Sequence, residues 1–259
     1  MQEAFDHCEG LVRAHDKDRF LAALFAPREK RQALFSLYAF DIEIARIPVI
    51  ARQPLAGEVR LQWWREVLVG ERGEEARASP IAAALSATLQ GRPELIGPLE
   101  GLLEGRRADL YDDPVKTLSD LEEYAEGVCA PVIDVAIRLL GDKPGTETSE
   151  FAAHACKALL LERVARGSES TVARRMPPYQ TTITTAALRE RAMDHLERAR
   201  ALSTSMPDET WPAFLPLALV PLRLKKRDMS DAIPRAPQSD VPQWRRQWVL
   251  WRAARRRRL

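Results

Sequence analysis

The sequence predicts an all-α protein, and three observations support this fold class. Apolar residues recur at helical spacing along most of the 259 residues. No stretch alternates apolar and polar residues for long enough to form a strand. Several segments start at a capping residue or a proline and stop at a glycine, as α-helices do. No repeat of about 20–50 residues is visible, so a solenoid is not predicted.

Five helices are predicted in the first 111 residues. The periodic segments comprise residues 2–25, 28–47, 56–70, 79–91 and 93–111. Pro48 and Pro54 predict a bend between the second helix and the third, because proline has no backbone N–H to donate. Ser79 is predicted to cap the fourth helix. Gly97 and Pro98 predict an internal break in the fifth.

Four further helices are predicted before residue 224. They comprise residues 117–140, 149–166, 185–204 and 210–223, with Thr117 as an N-cap and Gly141 as a stop. Residues 224–243 hold three prolines and few apolar side chains, so they are predicted to be irregular. A short helix follows from Trp244. The predicted organisation is a helical domain over 1–223, then a Pro-rich segment and a basic, Trp-containing C-terminal helix over 224–259.

Composition bounds the class of protein. Hydrophobic residues make up 46% and charged residues 29%, which excludes gross disorder. The three cysteines are far apart and predict neither a zinc site nor disulfides, which favours a reducing compartment. The N-terminus lacks the features of a signal peptide, and no apolar run approaches the roughly 20 residues that a spanning helix needs. We therefore expect a cytoplasmic protein, with at most peripheral contact at the inner face of the cytoplasmic membrane.

Carboxylates are the strongest candidates for chemistry, since the sequence contains no histidine pair, nucleophile elbow or glycine-rich phosphate loop. Asp41 and Glu43 lie in the segment LYAFDIEIARIP over 37–48. At i and i+2 they point roughly 200° apart around a helix, so they are not predicted to chelate one ion together. One cluster has the i, i+3, i+4 spacing of a metal-binding helix face. It consists of Asp109, Asp112 and Asp113.

Four segments resemble the squalene/phytoene synthase family, the all-α head-to-head prenyltransferases. They are FLAALFAPREKRQALFSLYAFDIEIAR (20–46), GRRADL (105–110), DLEEYAEGVCAPVIDVA (120–136) and ALLLERVARGSESTVARRMPPY (158–179). The resemblance implies an isoprenoid-synthase-like helical bundle around a central cavity. In that fold we expect Tyr38, Phe40, Trp63, Tyr124 and Val128 to face the cavity or its wall.

The resemblance also implies that both magnesium-binding aspartate motifs are missing. In active members, the aspartates of the first motif would fall at or near Ala45, Arg46 and Val49. Those of the second motif would fall at Gly167 and Thr171. An arginine at a metal-binding position repels Mg²⁺ instead of merely failing to bind it. We therefore expect no bound metal and no cofactor, and we assign no catalytic residue.

A non-synthase branch of the family is similar to the chain over YAFDIEIARIPVIARQPLAGEVRLQWWREVL (38–68). That branch has Y-A-F-N-x-E-x-A followed by G-x-x-R-x-Q-W/F-W, and the match is carried by Gly57, Arg60, Gln62, Trp63 and Trp64. This non-synthase branch includes a mitochondrial complex I assembly factor. The resemblance thus implies a non-catalytic factor in assembly of a respiratory membrane complex, with subunits or assembly proteins of that complex as partners.

Two other functions remain open. One is a protein that binds an isoprenoid or lipid in the old cavity. The other is a divergent active synthase that condenses farnesyl or geranylgeranyl diphosphate with Mg²⁺. Arg46, Arg60 or Arg163 could hold a phosphate without metal, although Arg60 could instead stack on Trp64. The candidate cavity or ligand-binding residues are Tyr38, Asp41, Glu43, Arg46, Arg60, Gln62, Trp63, Trp64, Asp109 and Tyr124.

The C-terminal segment WRRQWVLWRAARRRRL places Trp244, Trp248 and Trp251 on one helix face. Two interpretations are open. The tryptophans could complete the helical core, or they could contact an anionic membrane or a partner together with Arg255 and Arg256. A nucleic-acid partner is not predicted, because the basic residues occupy one short terminus without a nucleic-acid motif.

Overall fold

A computed structural model describes residues 1–51, 53–111, 114–141, 146–167, 183–225, 241–257 and 259. Within these residues the backbone forms helices and no strand, which confirms the all-α class. The α-helices are α1 Gln2–His15, α2 Lys17–Ala23, α3 Arg28–Ile50, α4 Pro54–Leu68, α5 Gly73–Ala78, α6 Pro80–Leu89, α7 Ile96–Arg107, α8 Leu118–Val128, α9 Ala130–Leu140, α10 Thr146–Ala165, α11 Thr185–Ser203, α12 Trp211–Phe214, α13 Val220–Arg223 and α14 Gln243–Arg256. Short 3-10 helices cover Pro93–Leu95, Ala108–Leu110, Asp208–Thr210 and Leu215–Leu219. Most of the segment predicted to be irregular, 224–243, lies outside the described residues.

α3 is the central helix of the bundle. It packs against α1, α6 and α9, and also against α2, α4 and α7. Its residues from Leu34 to Phe40 are all buried. A helix that is apolar on every side in this way is surrounded by core and has no polar face there. Asp41, the next residue, is therefore enclosed by other helices.

The longest helices of the described segments are α3 with 23 residues, α10 with 20 and α11 with 19. α10 and α11 pack against each other, and α10 also contacts α8 and α9. Within the described ranges, no helix combines the length and the apolar character needed to cross a membrane.

Two predicted N-caps and one predicted stop are confirmed. Ser79 Oγ accepts a hydrogen bond from the Ala82 N–H at 3.4 Å. Thr117 Oγ1 accepts one from the Asp120 N–H at 3.1 Å, and the Asp120 carboxylate accepts one from the Thr117 N–H at 3.0 Å. This reciprocal capping box satisfies two backbone donors at the start of α8. Gly141 ends α9 with φ +113°, a left-handed conformation that glycine adopts without strain.

The predicted helix over 2–25 is wrong in one respect, because it is two helices divided at Asp16. Asp16 has φ −138° and ψ 80°, outside the helical region. Its Oδ1 accepts a hydrogen bond from the Arg19 N–H at 2.9 Å. An aspartate in this conformation caps the following helix instead of continuing the preceding one. The division at Asp16 fixes the start of α2, and with it the position of Arg19.

Proline explains two further corrections. The predicted helix 117–140 is divided into α8 and α9 at Cys129, because Pro131 lacks the N–H that a continuous helix would need and its ring would clash with the carbonyl group of Gly127, one turn earlier. The predicted helix 210–223 is a series of short α- and 3-10 segments. Its interrupting residues are Pro212, Pro216 and Pro221.

Two other prolines do not end or break their helices where the sequence predicted. Gly97 and Pro98 lie in the first turn of α7, where proline sacrifices no hydrogen bond. The predicted break there is therefore wrong. Pro48 lies inside α3, which continues to Ile50 instead of ending at Ile47.

α7 and α8 make a close backbone contact at a glycine. A Cβ placed on Gly105 would lie 2.6 Å from the carbonyl oxygen of Gly127, a distance that real Cβ atoms do not adopt. A Cβ on Gly101, one turn earlier in α7, would meet nothing within 4 Å. The contact matters for the centre of the protein, because α7 carries Arg106 and α8 carries Tyr124.

We expect Gly105→Ala to destabilise the protein by about 1–3 kcal/mol, the usual cost of overpacking. Gly101→Ala is the matched control in the same helix. It should leave stability unchanged or raise it by about 0.5–1 kcal/mol, because alanine is the better helix former. Denaturant unfolding followed by circular dichroism measures both effects. Equal stability of the two variants would contradict the close approach of α7 and α8.

Candidate functional site

A buried aspartate held between two arginines lies at the centre of the bundle. Asp41 of α3 is 7% exposed. Its Oδ2 accepts a hydrogen bond from Arg19 Nη1 at 2.7 Å, and its Oδ1 accepts one from Arg106 Nη2 at 3.3 Å. The guanidinium groups come from α2 and α7, which are far from Asp41 in sequence. Both carboxylate oxygens are therefore engaged by positive charge.

Each arginine is also paired with an aspartate near it in the chain. Arg19 Nε donates to Asp16 Oδ2 at 2.6 Å, and Arg163 Nη2 of α10 lies 3.7 Å from the same oxygen. Arg106 Nη1 lies 3.4 Å from Asp109 Oδ2. We call this set the arginine–aspartate network, in which three positive charges balance three negative ones. Its members are Asp16, Arg19, Asp41, Arg106, Asp109 and Arg163.

Two tyrosines contact the network. The Tyr124 hydroxyl accepts a hydrogen bond from Arg106 Nη1 at 3.1 Å and donates one to Asp109 Oδ2 at 2.9 Å. The Arg19 guanidinium lies 4.9 Å from the centroid of the Tyr38 ring, a cation–π contact. Burial raises the pKa of the Tyr38 hydroxyl, so it stays protonated.

The network keeps Asp41 and Asp16 ionised. Burial alone would raise the pKa of Asp41, but the positive charges of Arg19 and Arg106 outweigh burial and hold the pKa below its ordinary value of 3.8. The pKa of Asp16 is lowered in the same way, with Arg19 and Arg163 outweighing burial. The centre of the protein therefore holds ion pairs at neutral pH.

A small cavity adjoins the network. Its volume is about 40 Å³. Its polar lining consists of Arg19, Tyr38, Asp41, Arg106, Cys129 and Arg163. Apolar residues of α8, α9, α10, α12 and the 3-10 helix Leu215–Leu219 complete the lining, and Val128 is one of them. A water molecule needs at least about 10–15 Å³, so the cavity has room for a few waters. Sites for small organic ligands have about 300–1,000 Å³, so a prenyl chain does not fit.

The centre does not fit a magnesium–diphosphate group. Carboxylates that hold Mg²⁺ need free oxygens, yet both oxygens of Asp41 accept hydrogen bonds from arginines. The guanidinium groups would also repel a divalent cation placed among them. Across the described residues, no three His, Cys, Asp or Glu side chains are grouped to hold a metal. Asp112, Asp113 and Thr171, named in the sequence analysis, lie outside those residues.

Asp41 and Glu43 face different parts of the protein. Asp41 lines the central cavity, whereas Glu43 lines a separate surface hollow of about 300 Å³ together with Arg60, Trp63 and Trp64. Arg60 therefore does not line the central cavity. The hollow instead lies beside the buried ring of Trp64, whose centroid is 5.0 Å from those of Phe40 and Trp63. Arg46 is exposed and does not line the central cavity.

Gln62 and Trp63 line a groove of about 490 Å³ on the outer surface, which we call the α4–α7 groove. Trp63 Nε1 donates a hydrogen bond to Glu75 Oε2 at 2.8 Å. The expectation that Trp63 faces the central cavity is therefore wrong, and Phe40 packs in the core against Trp64. The groove residues are Leu55, Glu58, Val59, Leu61, Gln62, Trp63, Arg65, Glu66, Arg72, Leu103, Glu104 and Arg107.

The C-terminal tryptophans lie outside the core. Trp244, Trp248 and Trp251 are 70%, 56% and 42% exposed, and Arg255 and Arg256 are also exposed. The interpretation in which the three rings complete the core is therefore wrong. α14 instead buries a different set of side chains, which are Arg246, Leu250 and Ala253.

Sequence reasoning missed Arg19, Arg106 and Asp16 as members of the central site. A signal for them exists in the sequence, because Asp16 and Arg19 are opposite charges at i, i+3, and so are Arg106 and Asp109. Such pairs are usually solvated. Whether these pairs are buried depends on where α2 and α7 pack against α3, and the local sequence does not determine that packing.

The protein belongs to the squalene/phytoene synthase family, whose model matches residues 12–177. Its relatives carry different named roles. The protein called NADH dehydrogenase (ubiquinone) complex I, assembly factor 6 of Bos taurus is 23% identical over 247 residues, which is 87% of this chain and 74% of that protein. The 15-cis-phytoene synthase of Synechococcus elongatus is 27% identical over 136 residues, which is 51% of this chain and 42% of that enzyme.

Solved structures confirm the isoprenoid-synthase-like fold. The crystal structure of a dehydrosqualene synthase in complex with ligand superposes with a TM-score of 0.66. The superposition covers 98% of this chain and 96% of that chain, at 19% sequence identity. At this level of identity the likeness establishes the fold alone.

Replacing Asp41 with asparagine should destabilise the protein by about 3–5 kcal/mol, because it leaves the buried Arg106 and the largely buried Arg19 facing a neutral group. Glu43→Gln is the matched control in the same helix, and it should change stability by less than about 0.5 kcal/mol. Denaturant unfolding at neutral pH measures both values. The network would lose its structural role if the two substitutions had equal effects.

The stability contributed by Asp41 and Asp16 should depend on pH. Their pKa values in the folded protein are lower than in the unfolded chain, so this contribution is complete above pH 3.8 and is lost as the pH falls below it. We expect the free energy of unfolding to fall below this pH, and to fall less steeply in the Asp41→Asn variant. Parallel curves for the two proteins in an acid titration of stability would contradict this.

Proposed function

We propose that this protein is a non-catalytic member of its family that assists the assembly of a respiratory membrane complex of the complex I type. The observation that carries the proposal is the arginine–aspartate network at the centre of the fold. A charge-balanced set of ion pairs occupies the centre of the bundle, and the residues at the positions of the first aspartate motif, Ala45, Arg46 and Val49, carry no carboxylate. The similarity to assembly factor 6 over most of the chain supports the same conclusion.

The network argues against prenyltransferase chemistry. Ionising an allylic diphosphate produces a leaving group of about three negative charges, which Mg²⁺ ions must neutralise. Ala45, Arg46 and Val49 stand where the family's first aspartate motif would supply ligands for those ions. The charges of Arg19 and Arg106 are already neutralised by aspartates, so they offer little excess charge to a diphosphate.

The cavity volume argues against the isoprenoid-carrier function. A volume of about 40 Å³ accommodates a few water molecules but no prenyl chain. Binding a quinone there would require the helices around α3 to separate. Separation would break ion pairs whose members are buried, which costs several kcal/mol.

The α4–α7 groove supports a role in contacting another protein. Leu55 and Val59 lie one turn apart on α4 and are 69% and 63% exposed. Charged residues of α4 and α7 surround them in the groove, including Arg65 and Glu104. An apolar centre with a polar rim is the usual composition of a protein interface. The groove also contains Gln62 and Trp63, which carry the resemblance to the assembly-factor branch.

An activity assay tests the absence of catalysis. We expect no head-to-head C30 product when the purified protein is incubated with radiolabelled farnesyl diphosphate and Mg²⁺. An active squalene synthase assayed in parallel provides the positive control. Formation of a C30 product by this protein would support the active-synthase alternative.

A complementation experiment tests the assembly role. In a host strain without its own copy of the gene, we expect less assembled complex I on native gels, and full restoration by the wild-type protein. Leu55→Glu combined with Val59→Glu should fail to restore assembly, although both residues are exposed and the protein should remain folded. Val69→Glu, an exposed valine just after the same helix, is the control and should restore it. Unchanged complex I in the deletion strain would contradict the proposal.

A further inference from the structure

α14 has three faces of different chemistry. At about 100° per residue, its exposed tryptophans form one stripe, three arginines lie roughly 90° around the helix from it, and a buried set lies on the far side. We call the first two the tryptophan stripe and the arginine flank. The tryptophan stripe consists of Trp244, Trp248 and Trp251, and the arginine flank consists of Arg245, Arg252 and Arg256. The buried face consists of Arg246, Leu250 and Ala253. Three arginines thus share one flank, whereas Arg246 belongs to the buried face and Arg255 lies next to the tryptophan stripe.

The buried face fixes the orientation of α14. Arg246 Nε lies 3.2 Å from Asp18 Oδ1, and the same carboxylate pairs with Arg223 Nη1 at 2.7 Å. Leu250 is fully buried against the body of the protein. α14 packs on α2 and on the 3-10 helix Leu215–Leu219. These contacts hold the helix along its length, so the tryptophan stripe points away from the protein.

Two rings of the tryptophan stripe form a continuous aromatic surface. The rings of Trp248 and Trp251 stack with centroids 5.2 Å apart and an interplanar angle of 25°. The Arg255 guanidinium lies 5.4 Å from the Trp251 ring, so it adds a positive charge within the stripe. Tryptophan is enriched at the level of lipid headgroups, where its ring meets both apolar and polar surroundings.

The arginine flank borders a concavity of about 630 Å³. Arg252 and Arg256 line it at i, i+4, and Trp248 lines the side next to the stripe. Residues 241–259 contain no acidic residue, and in the described part of the chain the flank arginines make no ion pair. Guanidinium groups bind phosphate oxygens through paired hydrogen bonds. The concavity therefore suits a phosphate group next to an apolar surface.

We propose that α14 docks the protein on an anionic phospholipid surface. The helix lies in the plane of the interface, with the tryptophan stripe among the headgroups and the arginine flank on lipid phosphates. Two features together favour lipid over other partners. A fixed row of exposed tryptophans needs an apolar layer to cover it, and the excess positive charge needs an anionic surface beside that layer. This surface is separate from the α4–α7 groove, so the membrane contact does not depend on the assembly role.

Vesicle binding of the full-length protein tests this inference. We expect co-sedimentation with phosphatidylcholine vesicles that contain phosphatidylglycerol, weak binding to phosphatidylcholine alone, and weaker binding at high salt. Brominated acyl chains should quench the tryptophan fluorescence of the wild-type protein, which requires no variant. Removal of α14 is a poor test, because Arg246 and Leu250 belong to the body of the protein.

Point variants distinguish the two faces. Arg252→Gln with Arg256→Gln should weaken binding to anionic vesicles about thirtyfold, given the usual contribution of each basic residue near such a surface. Replacement of the three stripe tryptophans by serine should weaken binding by at least about tenfold and abolish most of the quenching. Arg60→Gln with Arg77→Gln removes the same charge from exposed arginines elsewhere and should change binding by less than about twofold.

Four results would overturn the inference. They are equal binding to neutral and anionic vesicles, no binding to either, equal weakening by the Arg60/Arg77 control pair, and tighter binding to single-stranded DNA than to anionic vesicles. The DNA arm is included because tryptophans and arginines also bind single-stranded nucleic acid. All variants should melt at the wild-type temperature, since the substituted side chains are exposed.

Discussion

The pairing of Asp41 with Arg19 and Arg106 is the interaction on which the centre of this protein depends. Burying an isolated charge costs several kcal/mol, so the buried side chains Asp41, Arg106 and Asp109 persist there only because each charge faces an opposite one. The network joins α2, α3, α7 and α10 at one point. The division between α1 and α2 at Asp16 and the close contact of α7 with α8 at Gly105 both serve to bring its members together.

The same interaction links the fold to the proposed function. Helices surround the centre of the bundle, so a ligand bound there would be enclosed by protein. Here the oxygens of Asp41 are paired with Arg19 and Arg106, and the remaining cavity has room for only a few waters. Surfaces suited to engage other molecules are then external, and they include the α4–α7 groove and the two outer faces of α14. A protein organised in this way is suited to binding partners at its surface.

Much of the fold could be predicted from the sequence, because helical periodicity, Thr117, Ser79 and Gly141 act locally. The errors arose where one residue had two plausible roles. Asp16 caps a helix that the apolar pattern alone continues, and Pro98 is harmless because it falls in a first turn. The central site was only half predicted. Asp41, Asp109, Tyr38 and Tyr124 were singled out, but their arginine partners come from separate helices, and packing between distant segments decides which charges are buried. The exposure of Trp248 likewise depends on which face of α14 packs against the protein. The sequence of α14 does not specify that face, because both tryptophans and arginines recur at helical spacing.

Thermal unfolding in the presence of a non-hydrolysable farnesyl diphosphate analogue, with and without Mg²⁺, tests the central claim most directly. A ligand at about 100 times its Kd stabilises a protein by about 2.7 kcal/mol, which would raise the melting temperature by several degrees in a chain of this size. We predict no rise that requires both the analogue and Mg²⁺, because the arginine–aspartate network leaves neither free carboxylates nor space at the centre. A rise of about 5 °C or more that depends on both would contradict this account.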